Sequence, residues 1–184
     1  MTETTTILQP SPEDLRRAMR SVGLGSRYFE KRFEDLGEIA KPFETWYRSA
    51  DFKSDVRTGQ GRSLYGGVRA HDVFMVLARA CYLAGIKPRV IPLSVLINEV
   101  VGSEISIEVE SAQALFLTPF YRPDIKAPLS DFQRLAVEDF LIERLDNAQA
   151  IFTVSTGSLD ESRAWWSQNM IDRLKTSNLE VHIP

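Results

Sequence analysis

The strongest structural signal in the sequence is the segment Leu64-Tyr65-Gly66-Gly67-Val68-Arg69-Ala70-His71-Asp72-Val73. It lies between an apolar run and an apolar helical pattern, where a strand–loop–helix unit places a phosphate-binding loop. Such a loop reads G-x-x-x-x-G-K-[ST]: its glycines let backbone N–H groups surround phosphate, its lysine contacts the β- and γ-phosphates, and its hydroxyl binds Mg²⁺. Gly66 takes the first position and is followed by Gly67, but His71, Asp72 and Val73 take the second glycine, lysine and hydroxyl positions. The segment therefore predicts a degenerate phosphate-binding loop.

Asp72 reverses the charge that this loop requires. A carboxylate about 4 Å from a phosphate oxygen costs roughly 4 kcal/mol at an effective dielectric constant of about 20. Phosphoryl transfer depends on the lysine, Mg²⁺ and an oriented water, so we expect no nucleotide hydrolysis and no ATP binding in the usual mode. We expect the Asp72 carboxylate to lie in the first turn of the following helix and to stabilise its positive end. An acid–base role for His71 and Asp72 is disfavoured, because no nucleophile or third member is evident.

The composition is that of an ordinary globular protein. The chain has 184 residues, of which 43% are hydrophobic and 26% charged, and its net charge is −3. This charge argues against wholesale electrostatic binding of nucleic acid but leaves a local basic patch open. No apolar run reaches the ~18–20 residues of a membrane span, and the N-terminus lacks the pattern of a signal peptide. With Cys81 as its single cysteine, expected in the core, the chain has no internal disulfide. We expect a cytoplasmic protein without a metal or other cofactor.

Apolar strand patterns alternate with helical patterns from Gly61 onward. Strands are predicted at residues 62–68, 88–93, 114–117, 150–155 and 180–183. Helices are predicted at residues 72–84, 94–101 (with Ser94 as N-cap), 130–147 and 162–175. Strands and helices that alternate in this way predict an α/β domain with a five-stranded parallel sheet covered on both faces.

The N-terminal region differs in composition from the rest. Residues 1–10 are expected to be disordered, and a short helix begins with Ser11 as N-cap and Pro12 at the first helical position. The predicted division is a flexible N-terminus with a short helix over residues 1–22 and one domain over 23–184. Basic residues in and after the short helix are candidates for contact with DNA or an acidic partner, the alternative being a solvated face: Arg16, Arg17, Arg20, Lys31 and Arg32.

The order of the segments adds a resemblance to a known family. The segments that carry it are residues 23–36, 63–66, 84–91, 112–120, 132–155 and 170–174. Over about residues 23–183 the chain resembles bacterial replicative-helicase loaders of the DnaC and DnaI type and transposase-helper ATPases of the IstB type. These are AAA+ proteins, and the resemblance implies a three-layer αβα domain related to P-loop folds.

Within this resemblance, several family positions have changed. The strand that resembles the Walker B strand ends in Thr118 and Pro119, where the family has two acidic residues. The sensor strand ends near Ser155 or Thr156, where the family usually has asparagine. Arg173 alone remains at a family functional position, that of the arginine finger. The resemblance thus implies a pseudo-ATPase in which both Walker motifs are degenerate.

Three residues are candidates for a protein interface. Arg173 can reach a neighbouring ATPase, as in an active ring, or form a surface salt bridge. Trp165 and Trp166 are adjacent on a predicted helix, where neighbours diverge by about 100°, so one is expected to be buried and the other more exposed. Acidic residues on helix 130–147 are expected on a solvated face rather than at a metal site: Glu138, Asp139 and Glu143.

The function expected from these features is that of a non-enzymatic, helicase-loader-like accessory protein of DNA replication. Its expected partner is the replicative helicase or the helicase loader, with single-stranded DNA as a further candidate, and its compact form suits a phage or mobile element. The alternatives are an antagonist of a host helicase loader, a DNA-binding module that uses the N-terminal basic residues, and a residual nucleotide-binding regulator. The sequence leaves the oligomeric state open.

Overall fold

The computed structural model describes residues 11–124, 126 and 129–184. The disorder expected for residues 1–10 lies outside this range. The strands are β1 (Gly61–Gly66), β2 (Pro88–Pro92), β3 (Ala114–Thr118), β4 (Ala150–Ser155) and β5 (Asn178–Ile183). The α-helices are α1 (Pro12–Ser21), α2 (Lys41–Arg48), α3 (Phe52–Arg57), α4 (Val68–Leu83), α5 (Leu93–Val101), α6 (Ile107–Glu110), α7 (Asp131–Asp146) and α8 (Gln168–Ser177). Short 3-10 helices cover Ser26–Tyr28, Glu34–Ala40 and Glu161–Ala164.

The five strands form one parallel sheet in the order β2-β3-β4-β1-β5. The predicted fold class, an α/β domain with a five-stranded parallel sheet and helices on both faces, is confirmed. From β1 the chain passes to the edge strand β2 and returns through β3 to β4, so β1 lies between β4 and β5. Ser63 of β1 is opposite Thr153 of β4 on one side and Glu180 of β5 on the other. The carboxyl ends of β1, β3 and β4 therefore meet at one edge, where sheets of this kind bind ligands.

Each face of the sheet has its own hydrophobic core. On one face Phe74 of α4 packs edge-on against Phe116, and Phe116 stacks on Phe152 with ring centroids 4.3 Å apart. On the other face Leu115 and Ile151 belong to a core completed by residues of α5, α7 and α8. Central parallel strands are covered on both sides, which is why β3 and β4 are apolar at nearly every position.

Helix α1 belongs to the same packed domain. Its N-cap is Ser11, as predicted, with the Ser11 hydroxyl accepting from the Asp14 N–H at 3.2 Å. Met19 is fully buried in the first core, and the Val90 N–H donates to the Val22 carbonyl at 2.8 Å. This last bond places the end of the N-terminal segment against the edge strand β2. Cys81 is buried in the same core, as expected.

Three helix boundaries differ from those predicted. Helix α4 begins at Val68, four residues before the predicted start at Asp72. Helix α5 begins at Leu93 with Pro92 as its N-cap, so Ser94 is not the cap. The predicted helix 162–175 is divided into the 3-10 helix Glu161–Ala164 and α8, which starts after the N-cap Ser167. In the described residues, no helix combines the length and apolarity that crossing a membrane requires.

Candidate functional site

A cavity of about 310 Å³ lies at the carboxyl ends of β1, β3 and β4. It brings together six of the eight residues predicted for the degenerate nucleotide site: Gly66, Gly67, His71, Thr118, Pro119 and Ser155. Thr156, the alternative to Ser155 at the end of the sensor strand, also lines the cavity, whereas three further lining residues were not predicted, namely Val68, Arg122 and Val154. Arg122 follows β3 by four positions with no motif around it, so nothing in the sequence signals its place in the cavity.

The connection between β1 and α4 is too short to form a phosphate-binding loop. Gly66 ends β1 with φ of +141°, and Gly67 is the single residue between strand and helix. Residues 68–71, which correspond to the last three variable positions and the second glycine of the loop pattern, form the first turn of α4 instead. Their N–H groups therefore point along the helix axis.

Asp72 and Val73 do not line the cavity. The Asp72 carboxylate accepts from the Tyr28 hydroxyl at 2.7 Å and from Lys31 Nζ at 2.8 Å, and the Arg27 guanidinium lies 3.6 Å away. The prediction that Asp72 lies in the first turn of its helix is wrong, because α4 starts early and puts Asp72 in the second turn. Val73 is fully buried in the core. The Asp72 carboxylate thus fastens the segment around residues 27–31 to α4.

The titratable groups of this cluster are shifted in ways that fit the contacts. Burial raises the pKa of Tyr28 to about 12, and its hydrogen bond to the Asp72 carboxylate acts in the same direction. Burial alone raises the pKa of Asp72, but the hydrogen bonds from Lys31 and Tyr28 outweigh it and hold that pKa below its ordinary value. Burial lowers the pKa of His71, which keeps the imidazole beside the cavity neutral at pH 7.

The cavity offers little for binding a magnesium nucleotide. Its described lining contains no carboxylate, since Thr118 and Pro119 stand at the end of β3. Because His71 is neutral at pH 7, Arg122 is the one cationic side chain among the described lining residues. Its guanidinium pairs with the Asp124 carboxylate. In the part of the chain that the structure describes, no group of three or more His, Cys, Asp or Glu residues is placed to hold a metal ion.

One acidic residue assigned to a solvated face is buried. The Glu138 carboxylate lies between α7 and α8, where it accepts from the Ser167 N–H at 2.6 Å. This expectation was wrong because Glu138 satisfies a backbone donor at the start of α8, a partner 29 residues away in sequence. Asp139 and Glu143 are exposed, as expected.

Of the three residues predicted as interface candidates, only Arg173 lies on the surface. Trp165 and Trp166 are 4% and 1% exposed, so the prediction that one of them is more exposed is wrong. They follow a 3-10 helix rather than lying within an α-helix, and Trp166 stacks on Phe120 while its indole N–H donates to the Phe120 carbonyl at 2.9 Å. Arg173 is on the surface, where its guanidinium pairs with Asp146.

The N-terminal basic residues do not form one continuous unpaired patch. Arg16 pairs with Glu30 at 2.5 Å, and Lys31 is bound to Asp72. The Arg20 guanidinium lies 5.6 Å from the centre of the Phe29 ring. Arg17 and Arg32 are exposed, and neither has a carboxylate within 4.0 Å among the residues that the structure describes.

No protein-family model and no curated protein sequence matches the chain. Its fold is similar to that of the DnaC helicase loader, with a TM-score of 0.67 and 16% identity over 87% of this chain and 100% of that one. It is also similar to DnaI, with a TM-score of 0.59 and 13% identity over 80% and 84% of the two chains. The similarity to AMPPCP-bound DnaA from Aquifex aeolicus has a TM-score of 0.64 and 12% identity over 88% of this chain and 51% of that one. The chain thus spans about half the length of this DnaA structure, and the similarities show that it shares the α/β fold of these structures.

Proposed function

We propose that this protein is a non-catalytic AAA+-like accessory protein of DNA replication that binds the replicative helicase or its loader. The observation that carries the proposal is the connection from β1 to α4, where one residue and a helical turn replace a phosphate-binding loop on a fold shared with helicase loaders. The coarser part of the proposal, a replication-related AAA+-like protein, rests on the fold similarities. The absence of catalysis rests on the chemistry of the site.

Charge supports the loss of nucleotide binding. The lysine position holds Asp72, whose carboxylate is engaged by Tyr28 and Lys31 and does not line the cavity. A bound triphosphate would meet Val68, Pro119 and Val154 at the cavity wall, and these side chains offer no compensation for its charge. Phosphoryl transfer requires the lysine, Mg²⁺ and an oriented water, and the described lining contains neither a lysine nor a carboxylate that would hold Mg²⁺ or orient water.

Binding of DNA through the N-terminal basic residues is a weaker candidate. Of the five residues, Arg16 and Lys31 are neutralised by carboxylates within the chain, and Arg20 lies over an aromatic ring. Contacts to phosphate would have to break these interactions or rely on the two remaining arginines. We therefore favour a protein partner.

The first test is titration calorimetry of the full chain with Mg-ATP and Mg-ADP. The proposal expects no binding heat and no thermal stabilisation at millimolar nucleotide. Micromolar binding would contradict the proposed loss of nucleotide binding and make the protein a nucleotide-controlled switch.

The second test addresses the partner. The purified chain is mixed with a purified bacterial replicative helicase, with and without its loader, and complexes are measured by size-exclusion chromatography with light scattering. A complex with helicase or loader supports the proposal, and a helicase-loading assay then distinguishes a loading factor from an antagonist by the sign of the effect. If neither protein is retained at concentrations of tens of micromolar, the proposed partner is wrong.

A further inference from the structure

A second concave surface lies away from the carboxyl edge of the sheet, between α2 and the second half of α4. It has a volume of about 270 Å³. We propose that this groove, which we call the α2–α4 groove, binds a segment of a partner protein in which a carboxylate neighbours a bulky apolar side chain. The inference stands apart from the proposed function, because it names a surface and a ligand chemistry and does not depend on who the partner is.

The floor of the groove is apolar. Helix α4 contributes Val76, Ala80 and Leu83, which lie on one face because they are spaced by four and three residues. Tyr47 of α2 and Phe33 complete the floor. Leu83 remains 42% exposed at the end of this stripe, although large apolar side chains on α4 are otherwise mostly buried. A concave apolar floor with an exposed leucine at its rim favours insertion of an apolar side chain.

Two guanidinium groups at the groove have no carboxylate partner within 4.0 Å in the described chain. Arg79 is half-buried, and its Nε donates to the Phe29 carbonyl at 2.8 Å, which fixes the side chain and leaves the two Nη groups for another acceptor. Arg32 is exposed at the same groove. Burial lowers the pKa of Arg79, and the positive charge of Arg32 lowers it further. The Arg79 and Arg32 guanidinium groups thus lie at the same groove without an ion-pair partner in the described residues, and Arg79 is the one that is partly buried.

The carboxylates around the groove are engaged by groups other than Arg79 and the Arg32 side chain. Glu34 and Glu44 also line the groove, and both pair with Arg48, its third arginine, at 2.7 Å and 2.6 Å. Glu30 and Asp35 are near enough to act on Arg79 electrostatically, but Glu30 forms an ion pair with Arg16. The Asp35 carboxylate accepts from the backbone N–H of Arg32 at 2.7 Å.

Charge complementarity selects the occupant. An arginine with two free Nη groups binds a carboxylate through paired N–H···O bonds, and these are stronger when partly shielded from water. Nucleic-acid phosphate satisfies the same cations, but its bases stack best on exposed aromatic faces, whereas the floor at Val76 and Leu83 is aliphatic. A protein segment provides both groups a few ångströms apart, so we assign the groove to an acidic–apolar peptide segment.

The test uses two capped tetrapeptides, acetyl-Asp-Leu-Phe-Asp amide and its neutral analogue acetyl-Asn-Leu-Phe-Asn amide. Binding to the full chain is followed by NMR through the methyl signals of Val76 and Leu83 and the Nε–H signal of Arg79. We expect the acidic peptide to shift these signals and to bind at least about tenfold more tightly than the neutral one, as a charge-assisted hydrogen bond implies. Arg79→Gln should weaken the acidic peptide by a similar factor, whereas Arg17→Gln, which removes an exposed arginine of α1, should leave its affinity unchanged.

Arg32→Gln is the second variant, because Arg79→Gln removes the bond to Phe29 and can disturb the fold. Arg32 is exposed and its side chain makes no such bond, so weaker binding by a correctly folded Arg32→Gln protein supports the groove independently. Equal binding of the two peptides, unchanged affinity in both variants, or shifts confined to signals elsewhere would each overturn the proposal. The proposal would also be overturned if a ten-residue oligothymidylate shifted the same NMR signals and bound more tightly than the acidic peptide. That result would assign the groove to nucleic acid.

Discussion

The Tyr28 hydroxyl donates to the Asp72 carboxylate at 2.7 Å, and this bond joins two residues that are 44 positions apart in the chain. Lys31 binds the other carboxylate oxygen, so three side chains connect the segment before α2 to the second turn of α4. In a working phosphate-binding loop the position of Asp72 holds a lysine directed at phosphate. Here the same position contributes to the stability of the folded chain.

Replacing Asp72 with lysine should destabilise the protein without restoring nucleotide binding. Asp72→Lys removes the acceptor of Tyr28 and brings a third positive charge near Arg27 and Lys31. We expect the free energy of unfolding to fall by roughly 1–3 kcal/mol, the cost of leaving a buried donor unpaired. Urea denaturation measures this loss, and calorimetry with Mg-ATP should show no binding.

Asp72→Asn is the matched control. Its amide oxygen still accepts from the Tyr28 hydroxyl, while the attraction to Lys31 is weakened, so the expected loss is smaller than for Asp72→Lys. An Asp72→Lys protein that is as stable as the wild type and binds ATP would show that the site is a phosphate-binding loop damaged at one position.

The depressed pKa of Asp72 makes stability depend on acid pH. The carboxylate is held ionised in the folded state below the pKa of about 3.9 that it has in the unfolded chain. Its contribution is therefore complete above that unfolded value and is lost as the pH falls through the folded pKa. We expect the free energy of unfolding to fall more steeply between about pH 4 and 2 in the wild type than in Asp72→Asn.

Urea unfolding at several pH values tests this difference. His71 also has a lowered pKa, and its neutral form supports the fold above about pH 6.5. Because the Asp72 carboxylate acts on the pKa of His71, the comparison is repeated with His71→Gln in both proteins. Parallel acid profiles for the two proteins would show that Asp72 is not held by its partners.

The tryptophan pair gives a test of burial at the end of the 3-10 helix. Trp166→Phe keeps a ring to stack on Phe120 but leaves the Phe120 carbonyl without its donor. We expect this change to cost about 1–3 kcal/mol. Trp165→Phe should cost less, because the Trp165 ring contacts Tyr121 edge-on and the structure gives its indole N–H no comparable bond. Thermal and urea unfolding of the two variants measure the difference.

Iodide quenching of fluorescence provides the independent check. Both indoles are buried, so loss of either should leave the absolute intensity that iodide can quench nearly unchanged. Strong quenching that disappears in one variant would place that tryptophan on the surface, as the sequence predicted.

The sheet was predictable because parallel strands covered on both faces must be apolar along their whole length. Residues 114–117 and 150–155 meet this requirement, and the strands lie within a few residues of their predicted positions. The start of α4 was not predictable, because Gly67 is an N-cap without a side chain and no capping box marks the boundary. From the local sequence pattern alone, Asp72 was therefore predicted at the beginning of the helix.

Other errors have the same physical origin, since they depend on partners distant in sequence. Glu138 lies among surface-like residues of α7, and the Ser167 N–H that it binds becomes adjacent only when α8 packs on α7. Gathering of the six site residues into one cavity was predictable, because the carboxyl ends of parallel strands meet at one edge. The positions of Val68 and Arg122 at the cavity were not predictable. They depend on the early start of α4 and on the backbone path after β3, which no pattern in the sequence specifies.

Gly66 and Gly67 form a matched pair for testing the short β1–α4 connection. Gly66 has φ of +141°, and a Cβ added there would lie 2.0 Å from the Ile183 carbonyl oxygen, which belongs to the backbone of β5 and cannot rotate away. Gly67 has φ of −81°, and a Cβ there meets open space. Gly66→Ala should therefore lower the free energy of unfolding by more than about 2 kcal/mol, through backbone strain and displacement of β5. Gly67→Ala should change it by less than about 1 kcal/mol.

Urea denaturation of the Gly66→Ala and Gly67→Ala proteins measures these costs, and hydrogen exchange at the β5 amides should rise only in Gly66→Ala. Equal effects of the two substitutions would show that β1 does not end against β5 at Gly66, and a longer, looped connection would then have to be considered.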